Sequence, residues 1–189
     1  DTTIHAPITT VPSPFPRNLF NQAMDLMPVF SKLYARVAMD EEFLEHVMSE
    51  SVVKVDDFQR HLYEIWCNVR REGIAQPLHL GLFRSDYLIH ACNPDKLSLQ
   101  QVEFNTISSS FGALCTRVSE MHQYLLRTGA YASSSEFLCA ENMPKNDALD
   151  TLTDGLADAH HHYISQAQQH GRQTQPAILF VIQPNERNT

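Results

Sequence analysis

Basic residues are scarce in this sequence: 14 Lys and Arg stand against 22 Asp and Glu, leaving a net charge of -8. That balance argues against a nucleic-acid backbone as the main partner, because phosphate neutralisation asks for a basic face. Long apolar runs are missing too. None approaches the ~20 residues of a membrane-spanning helix, so no membrane partner is expected. No GxGxxG, Walker A, GxSxG or HExxH pattern occurs. Cys67, Cys92, Cys115 and Cys139 are evenly spread and form no CxxC. They do not make a disulfide scaffold, so small buried side chains in a reducing compartment are expected. The opening "DTTIHAPITT" has neither a basic n-region nor an apolar h-region, and no secretory signal is expected from it. It also lacks an initiator Met, which suggests part of a longer polypeptide.

What is present is apolar mass. At 43% hydrophobic content, 189 residues can bury a sizeable core, in one large domain or one and a half. After the proline-rich "TTVPSPFPRN", Leu19, Ala23, Met27, Phe30, Tyr34 and Val37 recur at helical spacing, with Pro28 expected to kink or break the run. A short helix follows Asp40, with Phe43, Leu44, Val47 and Met48 turned inward. Val55, Phe58, Leu62, Ile65 and Val69 define another helix that Gly73 can end. The single Trp66, beside Ile65, is expected in the core. Leu78, Leu80 and Leu82 then alternate as in a strand. "DYLIHA" and "LSLQQVEFN" flank the turn-like "CNPDK" and read as an antiparallel hairpin. Phe111, Leu114, Val118, Met121 and Leu125 form a helix ending near Gly129. An irregular connection leads to a last helix carrying Leu149, Leu152, Leu156, Ala159 and Tyr163. "PAILFVIQ" reads as a strand buried on both faces. The fold class is therefore α/β, with a helical N-terminal part and a mixed sheet.

The hairpin's second arm, "QVEFNTISSSFGAL", concentrates the chemistry. Residues two apart on a strand share a face, so Glu103 and Asn105 project together. Their oxygens suit a hard cation such as Mg2+, which takes one or two protein oxygens beside substrate phosphates. The alternative is a solvated strand face with Glu103 paired to a nearby Lys or Arg. Ser109 or Ser110 can cap the following helix, whose free N–H groups favour a carboxylate or phosphate. With the turn centred near Pro94 and Asp95, Arg84 falls across from residues 106–108. It can hold a carboxylate there bidentately, or pair locally with Asp86. In "HHHY", His160, His161 and His162 diverge by about 100° each on a helix and read as a solvated face.

Three segments, "GLFRSDYLIH", "QVEFNTISSSFGAL" and "IQPNERN", closely resemble, in order and spacing, three motifs of eukaryotic-type glutathione synthetases. "APITTVPSPFPRNLFNQA" and "GIAQPLHLGLFRSDY" are similar to that family as well. The resemblance implies part of an ATP-grasp ligase that joins glycine to gamma-glutamylcysteine with ATP and Mg2+. An acyl-phosphate intermediate and a cytoplasmic homodimer are implied with it. By the same resemblance Arg84 contacts the dipeptide, Glu103 ligates Mg2+ and touches ATP, and Asn105 is a second Mg2+ ligand. Ile107, Ser108, Ser109 and Ser110 would cradle gamma-glutamylcysteine. Glu186, Arg187 and Asn188 would begin a further substrate-binding strip. No catalytic residue is assigned.

The family's glycine-rich nucleotide loop, its lysine and its remaining Mg2+ carboxylate have no counterpart in this sequence. The rest of a polypeptide, or a companion chain, would supply that lobe. Residues 1–174 are then an N-terminal α/β region, and 175–189 begin the substrate-binding domain. Two further readings remain: a non-catalytic binding or assembly segment that keeps the family core, and a related ligase with another amine acceptor.

Overall fold

Two aspartates start two of the helices. The computed structural model describes residues 5–93, 96–131, 136–171, 175–182 and 184. In it, Asp40 accepts from the Phe43 N–H at 3.0 Å and opens α2 (Glu41–Glu50). Asp56 accepts from the Gln59 N–H at 2.8 Å and opens α3 (Asp57–Glu72). Each carboxylate satisfies an N–H that would otherwise lack a partner at the helix start. Gly73, at φ 95°, ends α3 with its N–H bonded back to Val69 and Arg70 carbonyls. Before these helices runs α1 (Arg17–Ala38), directly after Pro16. Pro28 does not break it. The proline sits on the exposed side, where water can take up the Met24 carbonyl that its absent N–H leaves free. Leu19, Ala23, Met27, Phe30, Tyr34 and Val37 all lie on the shielded face, as the spacing predicts.

The sheet is smaller and simpler than expected. Among the described residues it consists of β1 (Arg84–Asn93) and β2 (Lys96–Asn105), antiparallel. The expected turn centre, Pro94 and Asp95, lies outside the described residues. The Leu78–Leu80–Leu82 alternation forms no strand, because no neighbouring segment among the described residues completes its hydrogen bonds. The same holds for 176–182, which has no strand partner among the described residues and leaves Leu179 and Val181 86% and 89% exposed.

Helix α1 covers one face of the hairpin. Phe104 of β2 stacks on Tyr34 with ring centroids 4.1 Å apart, and also meets Phe30 and Phe83. Farther on, α4 (Gly112–Arg127) packs on α5 (Ala148–Gln169). The buried Thr116 hydroxyl donates to Asn146 Oδ1 at 3.1 Å and accepts from the Leu149 N–H, tying α4 to the start of α5. A Cβ on Gly112 would overlap the Leu152 side chain, so the two helices approach closely there. On α5, Ile164 rather than the expected Tyr163 is partly shielded. His161 and His162 face solvent, with His160 half-buried.

The expected large core does not form among the described residues. There Leu19 is the only buried apolar side chain. Helix α3 shows why. Its stripe Phe58–Leu62–Ile65–Val69 is exposed throughout, as are Val55 just before the helix and Phe43 of α2. The side of α3 that faces the rest of the chain instead carries Gln59, Tyr63, Trp66 and Arg70, one position around the helix. Arg70 binds Glu41 of α2 and lies 4.5 Å over the Trp66 ring, so a cation–π and ionic contact holds this corner together. Trp66 is thus half-buried beneath a guanidinium, not in a core. All four cysteines are free, and Cys92 and Cys115 are exposed, against the expectation of burial.

Candidate functional site on the open face of the hairpin

Strand register decides which side chains meet. Arg84 pairs with Asn105, and Asp86 with Glu103, so all four share the hairpin face opposite Phe104. The register is one residue from the expected one, which had set Arg84 across from residues 106–108. Beyond Asp86 it shifts: Tyr87 pairs with Gln101, leaving Val102 as the extra residue of a bulge. A bulge resets side-chain alternation. Gln101 accordingly points to the other face and donates to Ser85 Oγ at 2.9 Å, while Glu103 and Asn105 keep to the polar one. Tyr87 buries its hydroxyl without a hydrogen-bond partner among the described residues.

The polar face is a connected network. Arg84 Nε and Nη2 donate to the two Asp86 carboxylate oxygens at 2.8 and 2.9 Å, a bidentate pair. Arg84 Nη2 lies 3.9 Å from Glu103 Oε1. Asn105 Nδ2 donates to Glu103 Oε1 at 3.2 Å and to Asp86 Oδ2 at 3.4 Å. Arg84 Nη1 reaches the Ser110 carbonyl at 3.4 Å. The bidentate contact with Arg84 holds the Asp86 carboxyl below the usual carboxylate range, against a smaller opposing effect of burial. Asp86 reciprocally raises the Arg84 guanidinium. Of the two readings of Arg84, the local pairing with Asp86 is the contact that forms, within a strand and not in a turn. Its Nη1 faces the link to α4.

That link departs from the expected cap. Phe111, in the left-handed region at φ 73°, occupies the position before α4, and no side chain caps the helix. Ser109 Oγ instead donates back to the Asn105 carbonyl at 3.0 Å. Ser108 is also left-handed, at φ 51°. Two such non-glycine residues within four positions store backbone strain beside the polar face. Ile107 and Ser108 are exposed, while Ser109 and Ser110 are half-buried. The first N–H groups of α4 remain open to an anion.

The structure therefore brings Arg84, Glu103, Asn105, Ser109 and Ser110 together. Glu186, Arg187 and Asn188 lie outside the described residues. Asp86 is the residue that sequence reasoning left aside, as a local partner of Arg84. Its signal was the i, i+2 spacing in "RSD" at the start of a strand. No group of three or more His, Cys, Asp or Glu side chains converges among the described residues. The Glu103 carboxylate and the Asn105 amide nevertheless share this face, a hard-oxygen pair that fits Mg2+ once the Asn105 amide turns its oxygen inward, while both Asp86 oxygens are taken up by Arg84. A 370 Å³ cavity lies elsewhere, between α2 and α3, lined by Glu41, Glu45, Cys67, Arg70, Arg71 and Ile74.

Helices beside a small antiparallel sheet, with an acidic and guanidinium-bearing polar face, define an α/β region. Its affiliation is clear from comparison. The family of the eukaryotic glutathione synthase ATP-binding domain matches residues 1–177, and the chain belongs to that family. It is 35% identical to the glutathione synthetase large chain of Schizosaccharomyces pombe, over 96% of this chain and 38% of that protein. Identity to glutathione synthetase of Xenopus laevis is 34%, covering 100% of this chain and 37% of the relative. A chloroplastic glutathione synthetase of Solanum lycopersicum is 35% identical over 98% of this chain and 31% of its own length. The chain thus spans less than two fifths of these relatives. No described helix is long and apolar enough to cross a membrane.

Proposed function

We propose that this chain is part of an ATP- and Mg2+-dependent ligase that joins glycine to gamma-glutamylcysteine. The cysteinyl carboxylate attacks the terminal phosphate of ATP, releasing ADP and forming an acyl phosphate. The glycine amine then displaces phosphate, giving the peptide bond. The carrying observation is the shared face of Arg84, Glu103 and Asn105, beside the open start of α4, in a chain of this family.

On this reading Glu103 and Asn105 hold Mg2+, and Glu103 also lies against ATP. The ion neutralises phosphate charge when bound. Arg84 binds a carboxylate of the dipeptide, and Ile107, Ser108, Ser109 and Ser110 line its backbone. Glu186, Arg187 and Asn188 extend the substrate strip. The family relation supports an ATP-grasp scaffold, with residues 175–189 opening its substrate-binding domain and the nucleotide lobe coming from the remaining polypeptide or a companion chain. A cytoplasmic homodimer is the assembly proposed, although one relative is named as chloroplastic.

The test is Glu103→Gln in the complete enzyme. Losing one anionic ligand should raise the Mg2+ concentration for half-maximal rate and lower kcat, by roughly 100-fold together, the scale of one preorganised electrostatic group. Unchanged kinetics would reject the role.

A further inference from the structure

We infer that Asp86 is a positioning residue, setting the guanidinium of Arg84 so that its outer edge meets the substrate carboxylate at the start of α4. The inference rests on the proposed substrate role of Arg84.

A solvated ion pair between neighbours on a strand would contribute little. Three observations set this one apart. Both Asp86 oxygens are engaged by one guanidinium, at 2.8 and 2.9 Å, through Nε and Nη2. Asp86 Oδ2 also accepts from Asn105, which ties the pair to the neighbouring strand. Both side chains are only about a third exposed. A guanidinium is planar and rigid, so fixing the Nε–Nη2 edge fixes the direction of the other edge. That outer edge carries Nη1, which reaches the Ser110 carbonyl at 3.4 Å. It therefore looks onto the segment where α4 leaves its first N–H groups without a side-chain cap. A carboxylate placed there would meet the Nη1 group and the helix start together, while Nη2 stays with Asp86 and Glu103.

The register separates this role from metal binding. Glu103 is the more exposed carboxylate and faces the guanidinium only at 3.9 Å, whereas Asp86 has both oxygens occupied. Removing the Asp86 charge should thus release Arg84 and leave the cation donors in place.

The experiment uses the complete enzyme, with steady-state kinetics in gamma-glutamylcysteine and in Mg2+. Asp86→Asn preserves shape and should raise KM for the dipeptide roughly tenfold, the scale of a charge-assisted hydrogen bond. Its kcat and half-saturating Mg2+ should change less than about twofold. Asp86→Glu keeps the charge but moves the carboxylate by one methylene, and should show a smaller KM increase in the same direction. In an Arg84→Lys background, which has no planar fork to orient, Asp86→Asn should add no further loss. An unchanged KM, a shift in Mg2+ dependence instead, or an equal loss in the Arg84→Lys background would each overturn the inference. If Arg84→Lys alone left KM unaltered, the substrate role of Arg84 would fail instead, so the two failures are distinguishable.

Discussion

The hairpin and helix α3 handle apolar surface in opposite ways. On the hairpin, α1 lays Phe30 and Tyr34 against Phe104, and the opposite face is left to Arg84, Asp86, Glu103 and Asn105. On α3, the apolar stripe from Phe58 to Val69 looks outward while Trp66 and Arg70 make the inward contacts. Both segments are amphipathic in sequence. Amphipathicity specifies which side chains want shelter, and only the presence of a neighbour decides whether they find it. In the hairpin corner that neighbour is close along the chain. For α3, and for 176–182, it is not among the described residues.

Breaking the sheltered corner should have the largest effect. Phe104→Ala removes the ring shared by Phe30, Tyr34 and Phe83. It should cost about 3 kcal/mol of stability, at the low end for a large aromatic because Phe104 is only half-buried. Chemical denaturation of the complete enzyme measures this. A loss near zero would mean that α1 and the hairpin are held by something else.

A smaller effect probes the strain at the end of β2. Ser108→Gly relieves a residue held in the left-handed region and should stabilise by roughly 1 kcal/mol. Its thermal midpoint should therefore rise.

The least effect should come from α3 in the 189-residue polypeptide. There Ile65→Lys places a charge on a stripe already open to water and should alter stability by under about 0.5 kcal/mol. The same change in the complete enzyme sharpens the comparison: a loss of several times that size would show that the stripe is covered there, and an equal, small effect would show that it stays bare.

Much of this was readable beforehand. The α1 face runs through the expected residues from Leu19 to Val37, Asp40 opens α2, and Gly73 ends α3. The hairpin register was off by one residue, because loop length sets pairing only to within a residue or two. Glu103 and Asn105 do share a face, which their i, i+2 spacing required. Other features were hidden. Leu78, Leu80 and Leu82 have strand alternation but no strand partner among the described residues. The serine cap failed because Ser109 bonds backward to Asn105, a competition between local acceptors that composition does not reveal. The importance of Asp86 emerged only when strand pairing brought Asn105 and Glu103 beside it.

The amino-acid order alone determined where the chain turns helical, where the hairpin lies, and that a carboxylate and an amide leave β2 on the same side. These are short-range consequences of backbone geometry and side-chain period. Tertiary structure decided which amphipathic faces are covered, how Arg84 divides its two edges between Asp86 and the start of α4, and where the bulge turns Gln101 away. Those outcomes depend on residues far apart in the chain competing for the same space and the same hydrogen bonds, and no local pattern encodes the winner.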